Sequence, residues 1–284
     1  MIEGLDHAVV AVADLPSAHA RFARLGFTLT PRRRFADWGN ANHAIMFPHD
    51  FIELLGVIDA SRFTTPGLVE FLARGEGIMA ITLAARDIAS VHRWLMTRDM
   101  APTAVAEVTI NLEAPTGPVP QGFRWLRIGA AATPDLYLMV VQPRHPETMR
   151  SPATLAHANG ARGIRSMTVI VRDVARVRAA YQRLFNARDR VGAPDHAAIA
   201  TGHGTIHFVT EAGFARLHGG AVHPAIHPVP TIAAITLDGA PEVAAGVLRA
   251  SAVPHTLRDG TLRVPPEATA GFWLEFRDQE SENR

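Results

Sequence analysis

The sequence predicts an α+β fold: four modules, each ordered strand, helix, strand, strand, strand, paired into two halves with curved mixed sheets around a cleft. Two observations predict it. The first is a recurring pattern. Gly4-Leu5-Asp6-His7-Ala8-Val9-Val10-Ala11-Val12-Ala13-Asp14-Leu15 reads as a buried strand entering a helix. Gly77-Ile78-Met79-Ala80 through Ile88 and Gly163-Ile164-Arg165-Ser166 through Val174 align with it without a gap, and Thr231-Ile232-Ala233-Ala234 through Asp238 is a looser copy. Spacings of roughly 70–85 residues mark whole structural modules, longer than the short units of a solenoid. The second is a helix start after each full copy. Asp14, Asp87 and Asp173 are good N-caps, and apolar stripes follow them.

In the first module, residues 4–58, Pro16 suits the first helical turn, Phe22 and Leu25 face inward, and Gly26 stops the helix. Phe27 to Arg34 reads as a strand and Trp38 to Asn42 as turn chemistry. Strands follow at His43 to Phe47 and Phe51 to Val57, joined by Pro48-His49-Asp50. Residues 60–76 link onward, with a short helix through Leu68 to Leu72. The second module, 77–142, carries Val91, Trp94 and Leu95 on its helix. Its strands are expected near 103–110, 122–129 and 135–142, with a Pro- and Gly-containing loop at 114–121. Pro143, Pro146 and Pro152, with Gly160 and Gly163, place a domain boundary near 143–160. The domains are therefore 1–145 and 160–280. The third module, 163–211, presents Val177, Ala180, Tyr181 and Leu184 inward, with strands near 195–200 and 204–210. Residues 212–229 read as a His- and Pro-containing loop. The fourth module, 230–278, has a helix near 240–251 and strands near 255–258, 261–264 and 271–277.

Composition narrows the function. Lys and Arg total 28 against 27 Asp and Glu, a net charge of +1, so no basic face points to nucleic acid. There is no cysteine, which removes thiolate nucleophiles, disulfides, iron–sulfur clusters and Cys-rich zinc sites. The first strand begins by about residue 4, leaving no room for a signal peptide, and no apolar run approaches the roughly 18 residues of a spanning helix. A cytoplasmic protein without a membrane partner is the expectation. The expected partners are a small molecule and, at most, a second copy of the chain.

The repeated modules, the opening with His7 and the closing Phe51-Ile52-Glu53-Leu54-Leu55 resemble the vicinal oxygen chelate superfamily, most closely its glyoxalase-like subgroup. The resemblance implies metal ligands on the first and fourth strands of paired modules. His7 and Glu53 stand at those positions in module one, and imidazole with carboxylate suits Zn, Ni, Mn or Fe. Module two has Ala80 and Leu138 there, neither a ligand. The C-terminal first strands hold Ser166 and Ala234, and the fourth strands hold His207 and Glu275, weaker candidates. Two readings stay open. One is a divalent-metal lyase or isomerase of the glyoxalase type acting on a small oxygen-bearing substrate, with His7 and Glu53 as ligands and Glu53 moving a proton. The other is a metal-free small-molecule-binding protein, as among bleomycin-resistance proteins, in which His7 and Glu53 are a buried pair. Extradiol cleavage fits less well, because the C-terminal first strands lack histidines. Trp38, Asn42 and Arg34 are the candidate substrate-binding residues, Arg34 against a carboxylate or phosphate. The loop bearing His218, His223 and His227 has no zinc-motif spacing.

Overall fold

A computed structural model describes residues 1–114, 117–189 and 191–278. The chain opens with β1 (Ile2–Ala11), α1 (Leu15–Arg24), β2 (Arg33–Phe35), β3 (Asn40–Met46) and β4 (Phe51–Val57). After α2 (Leu68–Leu72) come β5 (Gly77–Ala85), α3 (Ile88–Met96), β6 (Ala106–Ala114), β7 (Gly117–Arg127) and β8 (Leu138–Pro143). A connector carrying α4 (Pro152–Leu155) leads to β9 (Gly163–Ile170), α5 (Val174–Phe185), β10 (His196–Ala200), β11 (Thr205–Val209) and α6 (Glu211–Leu217). The last series is β12 (Thr231–Asp238), α7 (Pro241–Ala250), β13 (Thr256–Arg258), β14 (Thr261–Val264) and β15 (Trp273–Arg277). No helix among the described residues is long and apolar enough to cross a membrane.

Local chemistry sets the helix starts. The carboxylates of Asp14, Asp87 and Asp173 accept backbone N–H groups of Ser17, of Ala89 and Ser90, and of Arg176. Helix α7 instead places Pro241 in its first turn. The apolar stripes, such as Phe22 of α1, Leu95 of α3, Tyr181 of α5 and Leu248 of α7, share one core with Ala8, Val10, Ile52 and Leu54 on the outer faces of the strands.

The sheet behaves differently in its two parts. The N-terminal strands run in the order β1-β4-β3-β2-β6-β7-β8-β5, and β5 pairs back onto β1, so eight strands close into a barrel. Closure leaves those strands without an unpaired edge except along the first half of β7. β5 also touches β12 through Ile78 and Ile232. The C-terminal strands run β10-β11-β9-β12-β15-β14-β13 and remain open among the described residues.

The repeats share a feature finer than the strand itself. In the β1–β5 ladder, Leu5 faces Leu83 and His7 faces Thr82, so Asp6 is an extra residue, a bulge. Met79, Arg165 and Ala233, the equivalent repeat positions, are extra in their own ladders. A bulge lets two consecutive side chains escape strict alternation, which matters at Asp6-His7.

The two parts are stapled near that bulge. Leu5 N–H donates to His203 O at 2.8 Å and His203 N–H to Glu3 O at 3.0 Å. Gly4, at φ +135°, must be glycine, because a Cβ would lie 2.2 Å from His203 N. His203 Nε2 also lies 2.6 Å from Asp50 Oδ2, and Asp50 is fully buried.

Four sequence expectations need correction. The strand over 27–34 shrinks to Arg33–Phe35, because Thr28 bonds Ala156 O and His157 Nδ1 of the connector instead. Asn40 to Asn42 are strand and not turn. The loop at 114–121 is largely β7, where Pro118 faces Glu113 and Pro120 faces Asn111; Pro115 and Thr116 lie outside the described residues. Proline is tolerated there because β8 pairs only from Phe123 onward, leaving one side of β7 free. The loop at 212–229 begins as helix α6, capped by Thr210 accepting from Gly213 N–H.

Candidate functional site

A polar row crosses four adjacent strands on the inner wall of the barrel. His7 comes from β1, Glu53 from β4, Asn42 from β3 and Arg33 from β2. Parallel pairing sets Val9 opposite Glu53 and His7 opposite Phe51, so the imidazole stacks on the Phe51 ring at 4.2 Å. The bulge turns Asp6 toward the same space. His7 Nδ1 lies 2.6 Å from Asp6 Oδ1 and donates to it, a bond that selects the tautomer whose lone pair is on Nε2. That Nε2 is 3.7 Å from Glu53 Oε2. Glu53 Oε1 accepts from Asn42 Nδ2, and Asn42 Oδ1 accepts from Arg33 Nε at 2.8 Å. Every member is at least nine-tenths buried, Asn42 completely. Burial lowers the Arg33 pKa below its usual value; the carboxylates of Glu53 and Asp6 pull it back up, and Arg150 opposes them.

The rest of the wall is aromatic. Phe35, Trp38, Phe123, Trp125 and Tyr137 line the cavity, with Met139 beside them. Trp38 stacks on Phe35 at 5.4 Å and takes the edge of the exposed Phe63 at 5.1 Å. The cavity measures ≈ 90 Å³. A water needs roughly 10–15 Å³ in this measure, so a handful of waters or one compact ring fits.

The structure brings His7, Glu53, Trp38 and Asn42 into one cavity and leaves Arg34 out. Arg34 points to the outside, 3.6 Å from Glu113. In a strand, alternate side chains face opposite sides, so Arg33 and Phe35 turn inward and Arg34 does not. The basic side chain in the wall is thus Arg33, which sequence reasoning missed. Asp6 was missed as well. Two signals could have found them: the acidic residue beside the histidine, and the aromatic Phe35 two residues after Arg33. The fourth-strand position of module two needs the same correction by one residue. Leu138 packs outward under the helices, whereas Met139 faces the cavity opposite Thr82.

The residues do not fit a tightly held metal ion. His7 Nε2 and the Glu53 carboxylate are two donors, and the positions that would complete the set are Ala80 and Met139. No group of three His, Cys, Asp or Glu among the described residues could hold an ion. The positive charge facing Glu53 is already supplied by the Arg33 guanidinium, relayed through Asn42.

In the open C-terminal sheet the equivalent inner face is filled. Phe214 of α6 packs with Ile170, Val209 and Ala234, and Trp273 lies against them. Glu275, fully buried, has Arg263 Nε at 2.7 Å, Arg277 Nη2 at 3.2 Å and Thr236 Oγ1 at 3.2 Å, and His218 Nδ1 lies 3.0 Å away. Burial alone would raise its pKa, but His218, Arg277 and Arg263 outweigh burial and hold it at about 2. His207 Nδ1 lies 2.9 Å from His196 Nε2. Burial, with His196, His218 and Arg277 nearby, pushes His207 down to about 3. His207 and Glu275 are satisfied by protein groups around a plug.

Comparison with known proteins bears on this architecture. The family model described as a glyoxalase-like domain matches residues 5–185. No curated protein matches the sequence. Among solved structures, a hypothetical protein from Staphylococcus aureus aligns at TM-score 0.70 and 12% identity, covering 98% of this chain and 100% of that one. A mutant 4-hydroxymandelate synthase from Streptomyces coelicolor aligns at TM-score 0.59 and 10% identity, covering 97% and 92%. A xylose isomerase-like TIM barrel/4-hydroxyphenylpyruvate dioxygenase fusion protein gives TM-score 0.58 at 15% identity, covering 97% of this chain and 48% of that one. At such identities these likenesses concern the fold alone.

Proposed function

The chain belongs to the glyoxalase-like domain family of the vicinal oxygen chelate superfamily, and from that premise we propose that its N-terminal barrel binds a small oxygen-bearing molecule without a metal. The observation that carries this reading is the polar row itself. At the position where the family resemblance implies a cation, the negative charge of Glu53 is met by Asn42 and, behind it, by the buried Arg33. A dication added beside Arg33 would meet two donors and a fixed guanidinium. The lyase or isomerase alternative, with a metal polarising the substrate oxygen, is less well supported for that reason.

Aromatic walls suit capture by shape and stacking, with a few polar groups fixing orientation. The same reading divides the chain into units 1–145 and 160–280, each made of two repeats. The second unit acts as a structural partner, because its inner face is occupied by α6 and His218. The test uses Trp38 and Trp125 as reporters, since both line the cavity. Small nitroaromatic probes should quench tryptophan fluorescence saturably, and EDTA treatment should leave the affinity unchanged. Loss of binding after chelation, restored by Zn, Ni, Mn or Fe, would overturn the metal-free reading.

A further inference from the structure

We infer that the cavity takes a ring-bearing ligand that presents a hydrogen-bond donor, a hydroxyl or an N–H, to His7 Nε2 and Glu53 Oε2, with Asp6 as the positioning residue that makes Nε2 an acceptor. This names the ligand class of the pocket proposed above and rests on that reading.

The inference follows from which polar atoms in the wall are already used. Asp6 Oδ1 is taken by His7 Nδ1, Glu53 Oε1 by Asn42, and Asn42 Oδ1 by Arg33. His7 Nε2 and Glu53 Oε2 make no hydrogen bond to any described residue. They are 3.7 Å apart, too far to bond each other. One oxygen or nitrogen seated about 2.8 Å from both would give a hydrogen to either and satisfy the buried carboxylate oxygen. Two neighbouring acceptors select a donor. An anionic group would instead add a third negative charge beside Glu53 and Asp6, which the one guanidinium of Arg33 already faces.

The bulge at Asp6 is the local device. Without the extra residue, Asp6 and His7 would point to opposite faces, and no carboxylate could hold Nδ1–H. Met79, Arg165 and Ala233 keep the bulge in the other repeats but are not followed by histidine. The aromatic wall around the two acceptors supplies the stacking surface for the ring.

Three probes of one shape test this by tryptophan quenching: para-nitrobenzyl alcohol, its methyl ether and para-nitrobenzoate. Wild type should bind the alcohol about tenfold or more tighter than the ether, the scale of a hydrogen bond to a charged acceptor. His7→Phe should bring that ratio to within about twofold, since it removes the acceptor and keeps an aromatic ring stacked on Phe51. Glu53→Gln, which keeps shape, should lower the ratio about threefold or more, so the test stands even if His7→Phe fails to fold. Asp6→Ala should lose the preference, and Asp6→Asn, whose amide oxygen still accepts Nδ1–H, should keep most of it. Equal binding of alcohol and ether by wild type would sink the inference and leave the pocket reading intact. So would a preference for the benzoate, or an alcohol preference that survives His7→Phe. If none of the three probes quenches, the pocket reading falls and takes this inference with it.

Discussion

Acid should separate Glu275 from every other group in the C-terminal sheet. In the folded protein its carboxyl sits at about 2, against the ordinary glutamate value of 4.5. A carboxylate whose folded pKa is depressed stabilises the fold above the unfolded value, and that stability is lost as pH falls through the folded value. That depression, at about 1.4 kcal/mol per pH unit, is worth roughly 3–4 kcal/mol, lost between pH 4.5 and pH 2. Glu275→Gln removes the titration. The variant also leaves Arg263 and Arg277 facing a neutral amide, so at pH 7 it should be less stable than wild type by about 3 kcal/mol. As pH falls, wild type should descend toward the variant and meet it near pH 2. His207, held down at about 3 from 6.5, is neutral in the fold and protonated in the unfolded chain below pH 6.5. It therefore tilts both curves downward from pH 6.5 to pH 3, further in the variant, which lacks the Glu275 charge that raises the His207 pKa. Urea unfolding midpoints measured from pH 2 to 7 give the two curves. A difference that stays constant with pH would refute the anionic, ion-paired Glu275.

Arg33→Met should cost about 3–5 kcal/mol in urea unfolding, because Glu53 and Asp6 lose their buried counter-charge; adding Glu53→Leu should recover much of that cost. Recovery of none of it would mean that Arg33 stabilises by packing alone. Ala80→His with Met139→Glu should create zinc and nickel binding measurable by calorimetry where wild type shows little, since both positions face the barrel interior beside His7 and Glu53. If the double variant stays as metal-indifferent as wild type, the fixed guanidinium of Arg33, and not the shortage of ligands, is the obstacle.

Much of the architecture was legible because it repeats. Asp14, Asp87 and Asp173 cap helices in the structure as their spacing predicts, and Phe51–Val57 and Leu68–Leu72 form where the pattern places them. Illegible were features decided by partners distant in sequence. Thr28 is drawn from its expected strand by Ala156 and His157. The prolines of β7 are permitted only because β8 is short. Arg33 and Arg34 differ by one place in a run of three arginines, and only the register against Asn42 and Ala41 decides which enters the barrel. A pattern of residue types carries no phase for a strand this short, so Arg34 was the natural misreading.

Among the described residues, the contrast between the two sheets follows from the third series, which has only the isolated Asp189–Ile199 bridge ahead of β10. Each N-terminal series supplies three strands after its helix, and β2 meets β6 to close the ring. The third series supplies β10 and β11 after α5, so the C-terminal sheet cannot close in the same way among the described residues. An open curved sheet with a polar inner face needs a cover, because an unpaired Glu275 in contact with apolar groups would be costly. The chain provides that cover directly after β11, in α6 and His218, with Phe214 on the apolar part and His218 between Thr168 and Glu275. The closed barrel needs no such plug, since its strands already bury their edges in one another. Its interior is left to the aromatic wall and to the two uncapped acceptors of His7 and Glu53. On the reading proposed above, the same repeat serves a structural use where the sheet is open and a binding use where it is closed, and the pairing of β2 with β6 is what closes it.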